Sequence, residues 1–143
     1  MALLLVAAPA AGAQTGQITP TGAFRVTGPP GEQAGFSVAH AGDVNGDGLD
    51  DVIVGAPPPT PAGGSGAAYV VFGSADPYSG GSSTTPLSRL GARGFRIAGA
   101  PDGRRIGASV SAAGDVNGDG LGDVLVGAVG GDTAVYVLSL IHI

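Results

Sequence analysis

The 143-residue sequence contains no cysteine, no tryptophan and no lysine, and only 5% of its residues are aromatic. Without cysteine it cannot be a disulfide-stapled scaffold, and without lysine it cannot form a P-loop. Charged residues make up 12% of the chain, and the formal net charge is −5. These values exclude a coiled coil and argue against nucleic acid as a partner.

Glycine, by contrast, is abundant, with 28 residues, and 43% of the chain is hydrophobic. With so few aromatic side chains, the core must be built from valine, isoleucine, leucine and alanine in short segments between glycine turns. This composition predicts an all-β fold or a repeat architecture. The length favours a single domain, unless the chain is part of a larger array.

The acidic residues are clustered along the chain. Seven of the 11 lie in two nine-residue stretches, whereas the six basic residues are arginines that lie elsewhere. Carboxylates concentrated in this way repel one another and call for a cation. The seven residues are Asp43, Asp47, Asp50, Asp51, Asp115, Asp119 and Asp123.

An internal repeat organises the sequence. The segment from Phe24-Arg-Val to Gly55-Ala reappears from Phe95-Arg-Ile to Gly127-Ala, and the acidic stretch that begins at Asp43 recurs 72 residues later at Asp115. We therefore predict three units in this part of the chain. They are a first repeat with its linker at residues 24–93, a truncated second repeat at residues 94–138, and a tail without a repeat counterpart at residues 139–143.

Each repeat is predicted to form short strands and no helix. Two strands flank the acidic stretch, and the second of them is a continuous apolar run, as is typical of a strand covered on both faces. A third and a fourth strand complete the unit, and Gly73 to Arg93 is predicted to be a long irregular connection. The predicted strands are 37–39, 52–54, 67–72 and 95–98, with 109–111, 124–126 and 134–138 in the second copy.

Oxygen-bearing side chains occupy alternate positions of both acidic stretches. Glycine at position 6 permits the sharp turn that brings these side chains toward one point. A hard cation with flexible coordination, Ca²⁺ before Mg²⁺, is the natural occupant of three carboxylates. We predict two Ca²⁺ sites, each using side chains at positions 1, 3, 5 and 9 and the backbone carbonyl of position 7. The ligands are Asp43, Asn45, Asp47, Leu49 and Asp51 in one site, and Asp115, Asn117, Asp119, Leu121 and Asp123 in the other.

Two other interpretations of the acidic stretches are an EF-hand loop and a turn that binds no metal. An EF-hand loop needs a carboxylate at position 12, where Val54 and Val126 stand, and the β-branched flanks argue against helices. The second alternative is an Asx-rich hairpin turn that binds no metal, because Asn-Gly and Asp-Gly are strong turn formers. Asp50 is not expected to be a ligand, since Gly122 occupies its place in the second copy.

These motifs resemble the FG-GAP repeats of the integrin α-subunit β-propeller and its bacterial relatives. The second copy is weaker, because Ala108 replaces an aromatic residue and Val129 replaces a proline. The resemblance implies four-stranded blades around an axis, with Ca²⁺ held in the hairpin between the first two strands of a blade. The pieces that carry it are Gly35-Phe-Ser-Val, Gly42 to Val54 and Gly55-Ala-Pro57, then Ile106 to Val110, Asp115 to Asp123 and Gly127-Ala-Val129.

A propeller closes with about 4–8 blades, so two repeats form an incomplete propeller. We expect such a chain to expose a sheet edge and an apolar face, and to be prone to aggregation. The resemblance implies a calcium-binding extracellular module for adhesion or ligand binding and structural support, with an unidentified extracellular protein or glycan as its ligand. The alternative is an accessory propeller of a secreted or surface enzyme whose catalytic domain lies outside this chain.

The chain is not predicted to be an enzyme by itself. It has two histidines, and His40 is interpreted as a residue on a strand face, while His142 lies in the tail. Residues 1–13 form an apolar run that ends in Ala11-Gly-Ala13, which is typical of the end of a secretory signal peptide. The same run could be an apolar strand or a disordered start, and it is too short to span a bilayer. We therefore expect a secreted or surface location.

Overall fold

A computed structural model of the protein describes residues 25–60, 64–75, 84–99, 104–130 and 133–139. These ranges contain strands and two short 3₁₀ turns, and no α-helix. The prediction of an all-β fold is confirmed. The strands are β1 (Arg25–Thr27), β2 (Ser37–Gly42), β3 (Asp51–Ala56), β4 (Ala67–Val71), β5 (Thr84–Pro86), β6 (Gly94–Ala98), β7 (Arg105–Gly114), β8 (Asp123–Val129) and β9 (Ala134–Leu138).

The strands form two antiparallel sheets and one short parallel pair. The first sheet has the order β2-β3-β4-β6 and the second has the order β7-β8-β9, while β1 pairs with β5. Each acidic stretch therefore lies in the hairpin between the first two strands of its sheet, as predicted. The fourth strand of the first sheet, β6, comes from the sequence assigned to the second repeat. The boundary between residues 93 and 94 remains a prediction at the level of sequence.

The main hydrophobic core lies between the two sheets. Ile53 and Val70 of the first sheet face Val124 and Val126 of the second, and all four side chains are fully or almost fully buried. Burying one valine or isoleucine side chain contributes about 1.5–3 kcal/mol, so this interface is a major source of stability. The two sheets consequently pack face to face, as the doubly apolar second strands predicted.

A smaller core covers the opposite face of the first sheet. Val54 and Tyr69 lie on that face, and they pack against Leu87, Leu90 and the partly buried Val26 of β1. Because neighbouring strand residues point to opposite faces, β4 is buried along its whole length between the two cores. The second sheet has no comparable cover on its far face within the described ranges, since β9 is largely exposed.

The connection from Gly73 to Arg93 is more regular than predicted. Residues 84–86 form β5, and two 3₁₀ turns follow at Leu87–Arg89 and Gly91–Arg93. The three-residue spacing of Leu87 and Leu90 places both side chains on the same side of the turns, toward the first sheet. The prediction of an irregular connection was wrong for residues 84–93, because burial of two leucines orders this segment.

Several predicted features lie outside the described residues. They are the signal peptide at residues 1–13, the start of the repeat at Phe24, residues 76–83 of the connection, and residues 140–143 of the tail with His142. None of the helical segments in the described ranges has the length or the apolar character needed to cross a membrane.

Candidate metal-binding loops

Two hairpin loops of identical design join β2 to β3 and β7 to β8. Glycine stands at the sixth position of each, and Gly48 and Gly120 adopt φ values of 83° and 89°. These left-handed conformations are strained for residues with a Cβ atom, so the predicted requirement for glycine at this turn is explained. The loops extend from the ends of the strands, and most of their side chains are exposed.

The first aspartate is the centre of each loop. Asp43 Oδ1 accepts hydrogen bonds from the backbone N–H groups of Gly46 and Asp47, at 2.7 and 3.1 Å, and its Oδ2 accepts one from Gly48 at 2.8 Å. Asp115 repeats this pattern with Gly118, Asp119 and Gly120, at 2.7, 3.0 and 2.9 Å. This carboxylate therefore folds the loop around itself through charge-assisted bonds.

The third and fifth positions reinforce the turn. Asn45 Oδ1 accepts the N–H of Asp47, and Asn45 Nδ2 donates to Asp47 Oδ2 at 2.9 Å. Asp47 Oδ1 in turn accepts the N–H of Leu49. The second loop has the same bonds among Asn117, Asp119 and Leu121, and they lower the pKa of Asp119 through hydrogen bonds from the Asn117 side chain and the Leu121 backbone.

The ninth position lies at the buried base of the loop. Asp51 is fully inaccessible to solvent, and its oxygens accept the N–H groups of Val44 and Gly73 at 2.9 and 2.7 Å. Burial raises the pKa of Asp51, the two backbone bonds oppose this effect, and the nearby charges of Asp47 and Asp43 add to it. Asp51 thus joins the acidic loop to the end of β4 and the start of the connection that follows.

The counterpart Asp123 is equally buried, and its Oδ2 accepts the N–H of Val116 at 2.8 Å. Its other oxygen, Oδ1, has no hydrogen-bond partner within the described residues. A buried carboxylate oxygen without a donor is costly, and a cation is one way to satisfy it.

The donor set suits Ca²⁺ chemically, because every side chain predicted to bind it presents oxygen. Each loop brings its five predicted ligands into one nine-residue hairpin. Their carboxylates contact separate backbone donors, however, and in the part of the chain that the structure describes no three acidic side chains are gathered as a metal cluster. The Leu49 and Leu121 carbonyls and the two Ca²⁺ sites as a whole stay predictions.

The residue at position 8 differs between the two loops. Gly122 donates its N–H to the carbonyl of Asp43 at 2.7 Å, so the second loop is bonded to the first. A Cβ atom at residue 122 would lie 2.7 Å from the carbonyl oxygen of Ala41, which makes glycine necessary there. In the first loop this position is Asp50, whose carboxylate lies 3.1 Å from His40 Nε2 at the surface.

A polar cluster outside the loops was missed by the sequence analysis. Tyr69, on β4, donates its hydroxyl hydrogen to Glu32 Oε2 at 2.6 Å and accepts one from Arg96 Nε at 3.2 Å. Arg96 Nη2 also contacts Glu32 Oε1 at 3.1 Å, and its guanidinium lies 5.9 Å from the tyrosine ring centre. The repeated tyrosine, at Tyr136 in the second copy, was the available signal. There Arg104 Nη1 donates to the Tyr136 hydroxyl.

Comparison with known proteins gives the same organisation. Residues 34–71 and 106–138 match the FG-GAP repeat family. The chain is 36% identical to integrin alpha-E of Mus musculus over 120 residues, which are 82% of this chain and 10% of that protein. It is 39% identical to integrin alpha pat-2 of Caenorhabditis briggsae over 107 residues, 73% of this chain and 8% of that protein.

A third relative is integrin alpha-PS2 of Drosophila melanogaster, 40% identical over 106 residues, with 73% of this chain and 7% of that protein covered. The chain thus spans about a tenth or less of the length of these relatives. FG-GAP repeats form β-propeller blades, and both matched segments fold here as antiparallel sheets of that kind. The sequence motifs, the hairpin loops and the relatives agree, and the chain belongs to the FG-GAP repeat family of the integrin α-subunit type.

Proposed function

We propose that the chain is a calcium-binding extracellular module of the integrin α type, with a role in adhesion or ligand binding. The observation that carries the proposal is the identical construction of the two hairpin loops. Both present three aspartates and one asparagine from the same positions, on the same backbone scaffold. The recurrence of the same four oxygen-bearing side chains at the same positions of both loops supports a shared set of metal ligands.

In each loop, the side chains of positions 1, 3, 5 and 9 and the carbonyl of position 7 would hold the ion. Bound Ca²⁺ supplies positive charge to a site that otherwise holds three carboxylates in one loop. The buried Asp51 and Asp123 connect that charge to the ends of the strands. We therefore infer a structural role for the metal, which stabilises the hairpins that present the remaining surface.

The extracellular location and the non-catalytic role rest on the family to which the chain belongs. Its integrin α relatives support an adhesion module. His40 supports no catalytic assignment, because its ring is exposed and contacts only the exposed Asp50 among the interactions described. Sequencing the flanking reading frame distinguishes this proposal from an accessory propeller attached to a secreted enzyme, since a catalytic domain would be visible there.

Calorimetric titration of the full chain with Ca²⁺ tests the metal assignment. We expect two sites with dissociation constants on the order of 10⁻⁴–10⁻³ M, as in weak extracellular modules. The double variant Asp47→Ala with Asp119→Ala should lose this binding. Asp50→Ala is the matched control, because Asp50 is an acidic residue of the same loop that is not assigned as a ligand. Equal Ca²⁺ binding by the double variant and the unsubstituted chain would overturn the assignment.

A further inference from the structure

Each acidic loop contains an Asn-Gly pair, Asn45-Gly46 in the first and Asn117-Gly118 in the second. Asparagine is a thermolabile residue, and a glycine that follows it leaves the next backbone nitrogen unshielded by a side chain. Both asparagines are exposed. Residues 43–49 and 115–121 have the same sequence, so the two pairs have equal intrinsic reactivity and only the fold can make them differ.

The reaction open to such a pair is deamidation through a cyclic imide. The backbone nitrogen of the glycine loses its proton and attacks Cγ of the asparagine side chain. A bond forms between these two atoms, the bond from Cγ to Nδ2 breaks, and the side-chain nitrogen leaves with the proton as ammonia. Water then opens the ring at one of its two carbonyl groups and gives aspartate or isoaspartate. The reaction therefore consumes water alone.

The folded loops slow this reaction in a way that both share. The attacking nitrogen of Gly46 is held by Asp43 Oδ1 at 2.7 Å, and that of Gly118 is held by Asp115 Oδ1 at the same distance. An anionic acceptor opposes removal of the proton that the nitrogen must lose. This contribution is equal in the two loops and cannot distinguish them.

The side-chain amides of the two asparagines are held differently. Asn45 Nδ2 donates to Asp47 Oδ2 at 2.9 Å, and this is its only acceptor among the described residues. Asn117 Nδ2 donates to Asp119 Oδ2 at 2.7 Å and also to Ser139 Oγ at 2.6 Å. The side chain must turn its Cγ toward the glycine nitrogen before the ring can form. Asn117 has one more hydrogen bond to break in that turn.

The extra bond follows from the residue that ends the third strand of each sheet. β3 pairs with β4 in the same register as β8 pairs with β9, so Phe72 and Ser139 stand at equivalent positions directly after the third strands. Phe72 packs against the core between the sheets, with its ring centre 6.0 Å from that of Phe95. A phenyl ring offers no oxygen to the Asn45 amide, whereas the Ser139 hydroxyl accepts from Asn117.

Other contacts favour the first loop, but they do not involve the asparagine side chain. Gly122 donates to the backbone carbonyl of Asp43, and a Cβ atom at Gly46 would lie 3.1 Å from Leu121 Cδ2. A single van der Waals contact is much weaker than a hydrogen bond. The bond at the reacting side chain therefore decides which of the two asparagines is the more reactive.

We propose that Asn45 is a site of spontaneous deamidation and that Ser139 protects Asn117 from the same reaction. In the folded chain, Asn45 should react about two- to tenfold faster than Asn117, which is the factor that one neutral hydrogen bond allows. The proposal concerns the covalent chemistry of the loops and holds whether or not an ion is bound.

Both products change the first loop. Aspartate at residue 45 adds a carboxylate to it. Isoaspartate lengthens the main chain by one carbon, which moves the N–H groups of Gly46 and Asp47 relative to Asp43 Oδ1, the atom that accepts both in the unmodified loop. The consequence for calcium rests on the proposed function: ageing alters one of the two metal sites and leaves the other intact.

Peptide mapping by mass spectrometry tests the proposal. The full folded chain is incubated with chelator at mildly alkaline pH, and trypsin then places the two pairs in different peptides, because arginines lie between them. We expect modification to accumulate faster at Asn45. Ser139→Ala should raise the rate at Asn117 to that at Asn45 and leave Asn45 unchanged. Ser111→Ala is the matched control, since Ser111 is an exposed serine that bonds to the Ala112 carbonyl.

The same chain unfolded in urea provides the internal reference, because there the two identical sequences should react at equal rates. Equal rates in the folded chain, or faster reaction at Asn117, would overturn the proposal. An unchanged rate at Asn117 in Ser139→Ala would overturn the protective role of Ser139. Circular dichroism checks that this exposed substitution leaves the fold intact, so a rate change reports the local bond.

Calcium titration before and after ageing tests the consequence for the metal. We expect two sites in the fresh chain, and one unaltered site once Asn45 has reacted. Two unaltered sites after complete reaction would overturn this consequence. A fresh chain that binds no Ca²⁺ would contradict the proposed function instead, whereas the peptide map recorded with chelator decides the modification by itself.

Discussion

The two sheets are built from one repeated sequence, yet their third strands are in different environments. Tyr69 on β4 is 1% exposed and Tyr136 on β9 is 38% exposed, although both stand at the same register position. The difference comes from the neighbours, because β4 has β6 on its outer edge and a packed layer on each face. Burial in this fold thus depends on the adjacent elements as much as on the strand itself, which is the behaviour of stacked repeats.

The same comparison predicts an uneven distribution of stability. The first sheet packs into both hydrophobic cores and contains the hydrogen-bonded cluster around Tyr69. Within the described residues, the second sheet buries only the face that packs against the first sheet. Regions with few buried apolar contacts open at lower free energy than the core. We expect β9 to exchange its amide hydrogens faster than β4.

The largest expected effect comes from truncating the core at equivalent positions. Ile53→Ala should lower the free energy of unfolding by about 2–5 kcal/mol, because Ile53 is fully buried between the sheets. Leu125 stands at the matching position of β8 and is only partly buried. Leu125→Ala should therefore lower the free energy of unfolding by clearly less. Urea unfolding of the full chain at one protein concentration measures both values. Equal losses would contradict the difference in burial.

Removing the tyrosine hydroxyl should also have different effects on stability in the two sheets. Tyr69→Phe deletes the bonds to Glu32 and Arg96 in a buried setting, and we expect it to cost about 1.5–3 kcal/mol, as for hydrogen bonds to charged groups. Tyr136→Phe, at an exposed position, should change stability by less than about 0.5 kcal/mol. Chemical denaturation compares them, and a larger effect at Tyr136 would refute the assignment of the polar cluster as a stabilising element.

Calcium should stabilise both hairpins by similar amounts. At Ca²⁺ about ten times the dissociation constant, each occupied site adds about 1.4 kcal/mol by mass action. Thermal melts with Ca²⁺ and with chelator measure the combined stabilisation by both sites. Asp43→Ala and Asp115→Ala should each abolish the contribution of one site. An identical midpoint with and without chelator would show that the proposed sites do not support the fold.

The smallest effect concerns alkaline pH. Burial raises the pKa of Tyr69, and the hydrogen bond to Glu32 adds to this. The folded state therefore keeps a proton that the unfolded chain releases, so this contribution is fully present below the ordinary tyrosine pKa of about 10 and is lost as pH rises above it. Stability measured between about pH 9 and 11 should fall less steeply in Tyr69→Phe than in the unsubstituted chain. Parallel pH profiles would contradict the shift.

The repeat made much of the fold predictable. The strands around each acidic loop follow from local apolar runs and glycine turns, and the loop positions follow from the 72-residue offset. The role of Asp51 as a buried anchor was not predictable, because its bond to Gly73 joins residues 22 apart in sequence. Likewise, Glu32, Tyr69 and Arg96 meet only after the sheet has formed. The ordered turns at Leu87 and Leu90 were not predictable either, because both side chains pack on an apolar face of the first sheet that their own sequence does not indicate.

The placement of β6 has a consequence for how such a chain can grow by duplication. The segment that is copied in the sequence begins with the strand that completes the preceding sheet. The repeat in the sequence and the sheet in the structure are therefore offset by one strand. Each added repeat supplies the fourth strand of the preceding sheet, and its own sheet then lacks a fourth strand until another repeat follows. A cut at residue 93, the predicted boundary between the repeats, would remove the outer strand from the first sheet.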